Sequence, residues 1–358
     1  MKATQQLHDL GQSLWIDDIT RDMLDSGTLQ KYIDEMSVTG LTSNPTIFDK
    51  AIAHSDSYDP QIRSLMKAGF TGEALFFELA IDDLSRAADM FLPVHQKTAT
   101  VDGWVSLEVS PLLAYDTKAT VAEAKRLHKR AAKPNLFIKI PGTKEGLPAI
   151  EEAIFSGVSV NVTLLFSAAD CAAASDAYMK GLERRVAAGL SPDVRSVASI
   201  FISRWDKAVM GKAPDNLRDK LGIAVGMQSF KGYRDGLSTD RWQRLLSLGA
   251  RPQRLLFAST GTKDPKSPDT LYVEALAAPN TVNTMPDETL KAFFDHGKVK
   301  GVLAENGGDC EKVLEACNKA GIDTDALAAQ LQKEGADSFV ASWKDLLKAI
   351  ETKSAALK

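Results

Sequence analysis

One lysine, Lys139, interrupts the apolar run that opens LFIKIPGTKEG, residues 136–146. Lysine is rarely buried without a partner, and stripping water from an ammonium is costly enough to drive its proton off. Two readings follow for Lys139: a buried ion pair with an acid such as Glu108 or Asp17, or a neutral amine kept as a nucleophile. Side chains alternate across a strand, and neighbouring runs apply that rule to polar groups. In VSLEVS (105–110), Ser106, Glu108 and Ser110 oppose Val105, Leu107 and Val109. In VSVNVTLL (158–165), Ser159, Asn161 and Thr163 oppose Val160, Val162 and Leu164. The same parity sets Lys139 beside Phe137, with Leu136, Ile138 and Ile140 on the other face, and sets Asp17 beside Trp15 rather than Asp18.

The polar face so defined holds Asp17, Asn44, Glu108, Lys139, Asn161, Thr163 and Ser199. One amine, two carboxylates, hydroxyls and amides suit carbonyl chemistry through a Schiff base. A free lysine is almost wholly protonated at neutral pH, and an apolar strand supplies the desolvation that an amine nucleophile requires. Once formed, an iminium draws electrons from the adjacent carbon, so a carboxylate that takes a hydroxyl proton can trigger C–C cleavage.

Those groups need strands to aim them. Eight β-rich runs fit: residues 13–17, 38–44, 104–110, 135–141, 158–165, 196–203, 254–259 and 280–285. Between them lie helical patterns such as 117–132 and 167–190, apolar on one face. Alternating strands and helices imply a parallel sheet with right-handed crossovers. None of the early strand-to-helix turns carries G-x-G-x-x-G, which favours a closed barrel over an open doubly wound sheet. The fold expected is α/β, a single (β/α)8 barrel spanning residues 1–358. Extra helices are inserted at 49–99, and a last helix after residue 338 is laid against the barrel exterior. In such a barrel both faces of the sheet are covered, so the polar set points inward, toward the mouth at the strand C-termini.

Composition narrows the partners. Lys+Arg 43 against Asp+Glu 47 gives a net charge of −4, so no basic field invites nucleic acid or an anionic membrane. The N-terminus MKATQQLHDLGQ lacks a signal-peptide core, and no run is long and apolar enough to span a bilayer; a cytoplasmic location is expected. Three cysteines without a CxxC pair and five scattered histidines point to reduced thiols and to no bound metal. The GTKEG after Lys139 fails the Walker spacing, so Lys144 reads as a loop or helix-start residue and no cofactor is expected.

Five segments, in order, resemble the transaldolase family: LWIDDITRDML (14–24), GLTSNPTIF (40–48), FIKIPGTKEGLPAIEEAI (137–154), VNVTLLFS (160–167) and LLFASTGTKDP (255–265). The resemblance runs from about residue 13 to 300. It implies a class I aldolase-type barrel moving a dihydroxyacetone unit from sedoheptulose 7-phosphate to glyceraldehyde 3-phosphate, in the pentose phosphate pathway. It also implies roles: Lys139 forms the Schiff base, Asp17 is the acid/base of the C–C step, and Glu108 and Thr163 hold the water serving imine formation and hydrolysis. Asn44 and Asn161 orient hydroxyls of the three-carbon unit, and Ser199 lies near its C1 end.

The phosphate site departs from the family pattern. Arg204 has the family spacing after Ser199, and its guanidinium fork suits a phosphate dianion. A second arginine is expected just after the Ala-Ser of the seventh strand, but here ASTGTKDP has Gly261 two residues after Ser259. Ser259 and Lys263 are expected to do that work, with loop N–H groups around Gly261 as an anion nest; the alternative is that Lys263 is a solvated loop residue. Two other functions stay open: a fructose 6-phosphate aldolase using the same lysine, and a non-catalytic sugar-phosphate-binding barrel. The oligomeric state is not fixed by sequence, and a homodimer is one assembly it admits.

Overall fold

A computed structural model describes all of residues 1–358. Eight parallel strands form the scaffold: β1 (Ser13–Ile16), β2 (Val38–Leu41), β3 (Val105–Glu108), β4 (Leu136–Pro141), β5 (Val160–Leu165), β6 (Ser196–Phe201), β7 (Arg254–Ala258) and β8 (Val282–Met285). They pair in the order β2-β1-β8-β7-β6-β5-β4-β3. That order is a ring cut once, and the cut is narrow. Across it Gly103 N donates to Thr39 O at 2.9 Å and Leu41 N to Trp104 O at 3.0 Å. The sheet therefore curls into the expected (β/α)8 barrel rather than opening into a doubly wound sheet.

Alternation along each strand divides the core in two. Val105, Leu107, Ile138, Ile140, Val160 and Val162 face the surrounding helices in one apolar cluster, whereas Trp15, Trp104, Phe137 and Val197, of the opposite parity, belong to a second cluster that also extends outward to Ile200, Phe257 and the helices beyond β6 and β7. Burying each such aliphatic side chain stabilises the fold by roughly 1.5–3 kcal/mol. Trp104 stacks on Phe137 with ring centroids 4.1 Å apart and planes 19° apart. These aromatics plug the N-terminal half of the lumen, and the polar residues sit above them, toward the strand C-termini.

Two local expectations change. Leu164 does not share the outward face of Val160 and Val162. It has a φ of 59° at a register shift between β5 and β6, so Leu165 takes the place beside Val160 and Val162 and Leu164 joins Phe166 in the second cluster. The last helix also differs in extent and place. It runs from Thr324 to Ala356, with the Asp323 side chain accepting from Ala326 N as its cap. Its second half packs on the helices inserted after β2, as expected of the outer layer, Trp343 meeting the Phe76 and Phe77 rings and Lys353 Nζ donating to Ser55 O at 2.7 Å. Its first half, which the sequence reading left out, crosses the mouth. Gln332 Nε2 donates to Leu164 O at 3.0 Å and Gly142 O at 3.3 Å, just past β5 and β4, and Phe339 enters the mouth. Gly335 permits that approach, since a Cβ there would meet Leu164 Cδ2 at 3.0 Å and Arg204 Nη1 at 3.2 Å.

The insertion after β2 consists of helices Pro45–His54, Asp59–Lys67 and Gly72–Lys97 with a short 3-10 turn. The helical patterns at 117–132 and 167–190 become Thr117–Ala131 and Ala168–Ala187, the latter opened by a capping box of Ser167 and Asp170. No helix is long and apolar enough to cross a membrane.

Candidate active site

Register sets the deepest polar layer. Glu108 on β3 pairs with Lys139 on β4, and Lys139 with Asn161 on β5, so the three side chains stand abreast on adjacent strands. Lys139 is 5% exposed. Its Nζ donates to Ser43 O at 3.1 Å and lies 3.2 Å from Glu108 Oε2 and 5.6 Å from the centre of the Phe339 ring. The charge contact anticipated between Lys139 and Glu108 is thus present. Neither Glu108 oxygen has a hydrogen bond in good alignment, and the buried Thr163 hydroxyl has no partner either. Burial raises the Glu108 carboxyl above the usual carboxylate range, with the Lys139 charge opposing and Asp17 adding to the rise.

Above this layer lies a cavity of about 290 Å³ at the C-terminal end of the barrel. Its wall includes Asp17, Asn44, Lys139, Thr163, Ser199, Arg204, Ser259 and Lys263. Of the residues expected from sequence, Glu108 and Asn161 are not on that wall. Asn161 is fully buried, with Nδ2 donating to Ser106 Oγ at 3.1 Å and Oδ1 accepting from Ser199 Oγ at 2.7 Å. It holds Ser199 in place and stands one layer beneath the cavity, beside Lys139.

Asp17 follows β1 directly, its backbone N–H bonded to Met285 O at 2.8 Å. Its Oδ1 accepts from Thr42 Oγ1 at 2.7 Å, and Thr42 contacts Thr284 Oγ1 at 2.7 Å, so a chain of hydroxyls from β8 and the β2 exit fixes the carboxylate. Asp18 is not on that wall; it lines a more open hollow with Asp287 and Glu288 that adjoins the cavity, Asp17, Ile47, Lys50 and Pro286 being common to both. Its carboxyl is pushed up to about 6 by burial, then by the charges of Asp287 and Asp17. Asn44 caps the helix Pro45–His54, Oδ1 accepting from Ile47 N at 3.2 Å, with Pro45 in the first helical position. That cap commits the Asn44 oxygen and leaves its amide N–H groups for the cavity.

The cationic side of the mouth is built by β6 and β7. Ser259 has a left-handed φ of 55°, and its hydroxyl meets Ser203 Oγ at 2.9 Å while Ser203 N donates to Ser259 O at 3.0 Å. This ties the β7 exit to the helix Ser203–Val209, which carries Arg204. The Arg204 guanidinium sits 5.1 Å from the Phe201 ring centre and 5.9 Å from that of Phe339. Burial lowers it, with Glu334 and Asp17 opposing. Lys263 is exposed at the rim, yet desolvation by the walls, then the Arg204 and Lys207 charges, hold its ammonium below the usual lysine range. Gly261 serves close packing: a Cβ would meet Pro286 Cγ at 3.1 Å and Thr289 Oγ1 at 3.2 Å. Lys144 is an exposed turn residue, outside the mouth.

Several wall residues escaped the sequence reading: Thr42, Lys50, Phe201, Thr284 and Phe339. Alternation carried on from Ser199 would have reached Phe201, and alternation along β8 would have reached Thr284. Lys50 and Phe339 come from helices, whose facing residues no strand rule supplies.

A family model described as "Transaldolase/Fructose-6-phosphate aldolase" matches residues 14–350. A protein named "Transaldolase" from Arthrobacter sp. (strain FB24) is 46% identical over 357 residues, covering 97% of this chain and 96% of that protein. A "Transaldolase" from Thermobifida fusca (strain YX) is 45% identical over 361 residues, 98% of each chain, and a "Transaldolase 2" from Streptomyces avermitilis is 45% identical over 359 residues, 98% of this chain and 96% of its own. A match of this extent leaves no part of the barrel outside the alignment, and the chain belongs to the transaldolase/fructose-6-phosphate aldolase family.

Proposed function

We propose that this chain is a transaldolase, moving a dihydroxyacetone unit from sedoheptulose 7-phosphate to glyceraldehyde 3-phosphate and yielding erythrose 4-phosphate and fructose 6-phosphate. The observation that carries the reading is a lysine 5% exposed, at the C-terminal end of a barrel strand, opening onto a cavity walled by one acid, hydroxyls and three further cations, Lys50, Arg204 and Lys263.

In this mechanism Lys139 Nζ adds to the ketose C2 carbonyl and the carbinolamine loses water to give an iminium. Glu108 takes and returns the protons of that dehydration through a water it holds with Thr163; support comes from their buried, unpartnered oxygens and the raised Glu108 carboxyl. Asp17 accepts the C4 hydroxyl proton as the C3–C4 bond breaks, and the aldose leaves with its new carbonyl. The C3 enamine carbon then attacks the acceptor aldehyde, Asp17 returns its proton to the new hydroxyl, and water hydrolyses the iminium. Asn44 and Ser199 orient the three-carbon unit, Asn161 fixes Ser199 from below, and Arg204, Ser259 and Lys263 take the phosphate at the far end of the mouth. Residues 1–358 act as one barrel domain without a cofactor. Its place is the pentose phosphate pathway in the cytoplasm, with sugar phosphates as partners and neither nucleic acid nor membrane. A homodimer is the assembly to test by light scattering.

Borohydride reduction with fructose 6-phosphate, followed by peptide mass spectrometry, should add a reduced three-carbon adduct at Lys139, and Lys139→Met should abolish it together with turnover, by about 10³-fold or more. A label elsewhere, or none, would sink the assignment and revive a binding-only barrel. Transfer to erythrose 4-phosphate should outrun release of free dihydroxyacetone. Dominant release would make the enzyme an aldolase instead.

A further inference from the structure

The opposite end of the barrel carries a second hollow, of about 420 Å³, that the proposed reaction does not use. It is lined by strand beginnings, among them Ser13 of β1, Phe137 of β4, Ser196 of β6 and Arg254 of β7. The N-terminal face of such barrels ordinarily serves stability. The lining departs from that expectation in its charge.

Three guanidiniums, from Arg195, Arg251 and Arg254, converge on this hollow, and one carboxylate, Asp102, lies in its wall. Asp102 is already engaged from the barrel side: Oδ1 accepts from Trp15 Nε1 at 2.7 Å and Gly103 N at 3.0 Å, and Oδ2 accepts from Ser13 Oγ. Arg254 is held by neutral oxygens, Nη2 donating to Ser13 Oγ and Thr281 O at 2.7 Å each and Nη1 to Val101 O at 3.3 Å. Its charge is positioned but not matched by a direct carboxylate. Arg195 is answered by Asp193 at 2.7 Å and bonded to Thr100 Oγ1. Arg251 is exposed, and only its backbone carbonyl is engaged, by Tyr178. Arg195 and Arg251 stand near enough that the Arg251 charge helps, after burial, to hold Arg195 below its usual range against the pull of Asp193. Like charges brought together around a concavity are an electrostatic cost that a bound anion relieves. The inner wall is apolar, Trp104 and Phe137 presenting the base of the aromatic stack. A hollow of this size fits a small molecule, and its lining, mostly polar with guanidiniums in excess over carboxylates and an aromatic floor, suits an anion that carries a carbon body.

We infer that the N-terminal face of the barrel binds a small organic phosphate monoester, its dianion held by Arg251, Arg254 and Arg195 and its carbon body against Trp104 and Phe137. The mouth of the barrel, at the other end of the strands, is a separate site with its own cations, and this proposal does not depend on the reaction assigned there.

Titration calorimetry with phenyl phosphate tests it, using a chain carrying Arg204→Ala and Lys263→Ala so that the mouth no longer holds a phosphate. One molecule should still bind per chain. Adding Arg251→Ala should weaken that binding about tenfold or more, as loss of a charge-assisted contact does, and Arg251→Lys should restore part of it. Inorganic phosphate should bind several-fold more weakly than phenyl phosphate, lacking a body for the aromatic wall. Thermal melts of each variant guard against misfolding, to which Arg251→Ala is little exposed because its guanidinium supports no other group. Absence of binding in the double variant, or binding unmoved by Arg251→Ala in a folded chain, would overturn the site. Equal affinity for the two phosphates would overturn its assignment to an organic ester.

Discussion

Two adjacent acids, Asp17 and Asp18, show how far one residue of strand parity separates fates. Asp17 faces the cavity wall and is tethered through Thr42, whereas Asp18 turns toward Asp287, where its carboxyl is raised to about 6. A carboxyl raised on folding means that the native state favours the protonated form. Its neutral form is tolerated fully below the unfolded value near 3.9, and stability is lost as pH climbs through about 6. Asp18→Asn should therefore stabilise the chain in urea unfolding at pH 8, by about 1–2 kcal/mol once solvent screening of a partly exposed group is allowed for, and change little at pH 4. Asp17→Asn should instead cut turnover by about 10²–10⁴-fold; if Asp18→Asn did that and Asp17→Asn did not, the acid/base would be misassigned. At the rim, Lys263→Ala should raise KM for phosphorylated acceptors about tenfold while leaving unphosphorylated acceptors nearly unchanged. Equal effects on both acceptor classes would make Lys263 a solvated loop residue. Parity made Asp17, Glu108 and Lys139 readable from sequence because each lies on or directly beside a regular strand. It could not reveal that Asn161 would be spent on Ser106 and Ser199, since that depends on which neighbours share its layer.

Strand–helix junctions decide whether the lysine strand stays in register. The helix Gly146–Phe155 begins against the end of β4, and a Cβ on Gly146 would stand 1.9 Å from the Pro141 carbonyl oxygen. Thr143 Oγ1 accepts from Gly146 N at 3.0 Å and donates to Ala114 O, locking this turn to the neighbouring one. Backbone cannot yield there without moving Pro141, two residues from Lys139. Gly146→Ala should destabilise the chain by about 2–4 kcal/mol in urea unfolding, although alanine is the better helix former. A neutral or stabilising result would show that the junction relaxes. The eight strands and the helices between them were legible because each has its own period of apolar residues. Leu164 was not, because a left-handed φ at a leucine leaves no compositional mark of the kind glycine would. Nor was the path of the last helix. Its apolar face predicts burial, but an apolar face does not say which surface it meets, and the small residue that admits it to the mouth, Gly335, reads in sequence only as a weak point in a helix.

Closure of the ring gives the molecule one weak seam, and Lys139 spans it. Seven strand pairs have parallel ladders, with register shifts only in β1–β2 and β5–β6, whereas β2 and β3 share the bonds from Gly103 N to Thr39 O and from Leu41 N to Trp104 O. Side chains reinforce the join near the mouth: Ser43 Oγ donates to Ser106 O at 2.8 Å, and Lys139 Nζ reaches from β4 to Ser43 O at 3.1 Å. Local opening is governed by the bonds and packing it breaks, so the Gly103 and Leu41 amides should exchange with deuterium faster than the Ile138 amide, which is bonded to Ser159 O inside the β4–β5 ladder. Lys139→Met removes the charged donor from Ser43 while keeping a long apolar side chain. A hydrogen bond from a charged group contributes about 1.5–3 kcal/mol, so this variant should accelerate exchange at Leu41 about tenfold or more and leave Ile138 unchanged. Exchange that rose equally at both amides would mean global destabilisation, and exchange unchanged at Leu41 would mean that the seam is held by its backbone and by Ser43 alone. The expected pattern ties barrel closure to the same nitrogen that the proposed chemistry modifies, because converting the amine to an imine alters the donor on which Ser43 O relies.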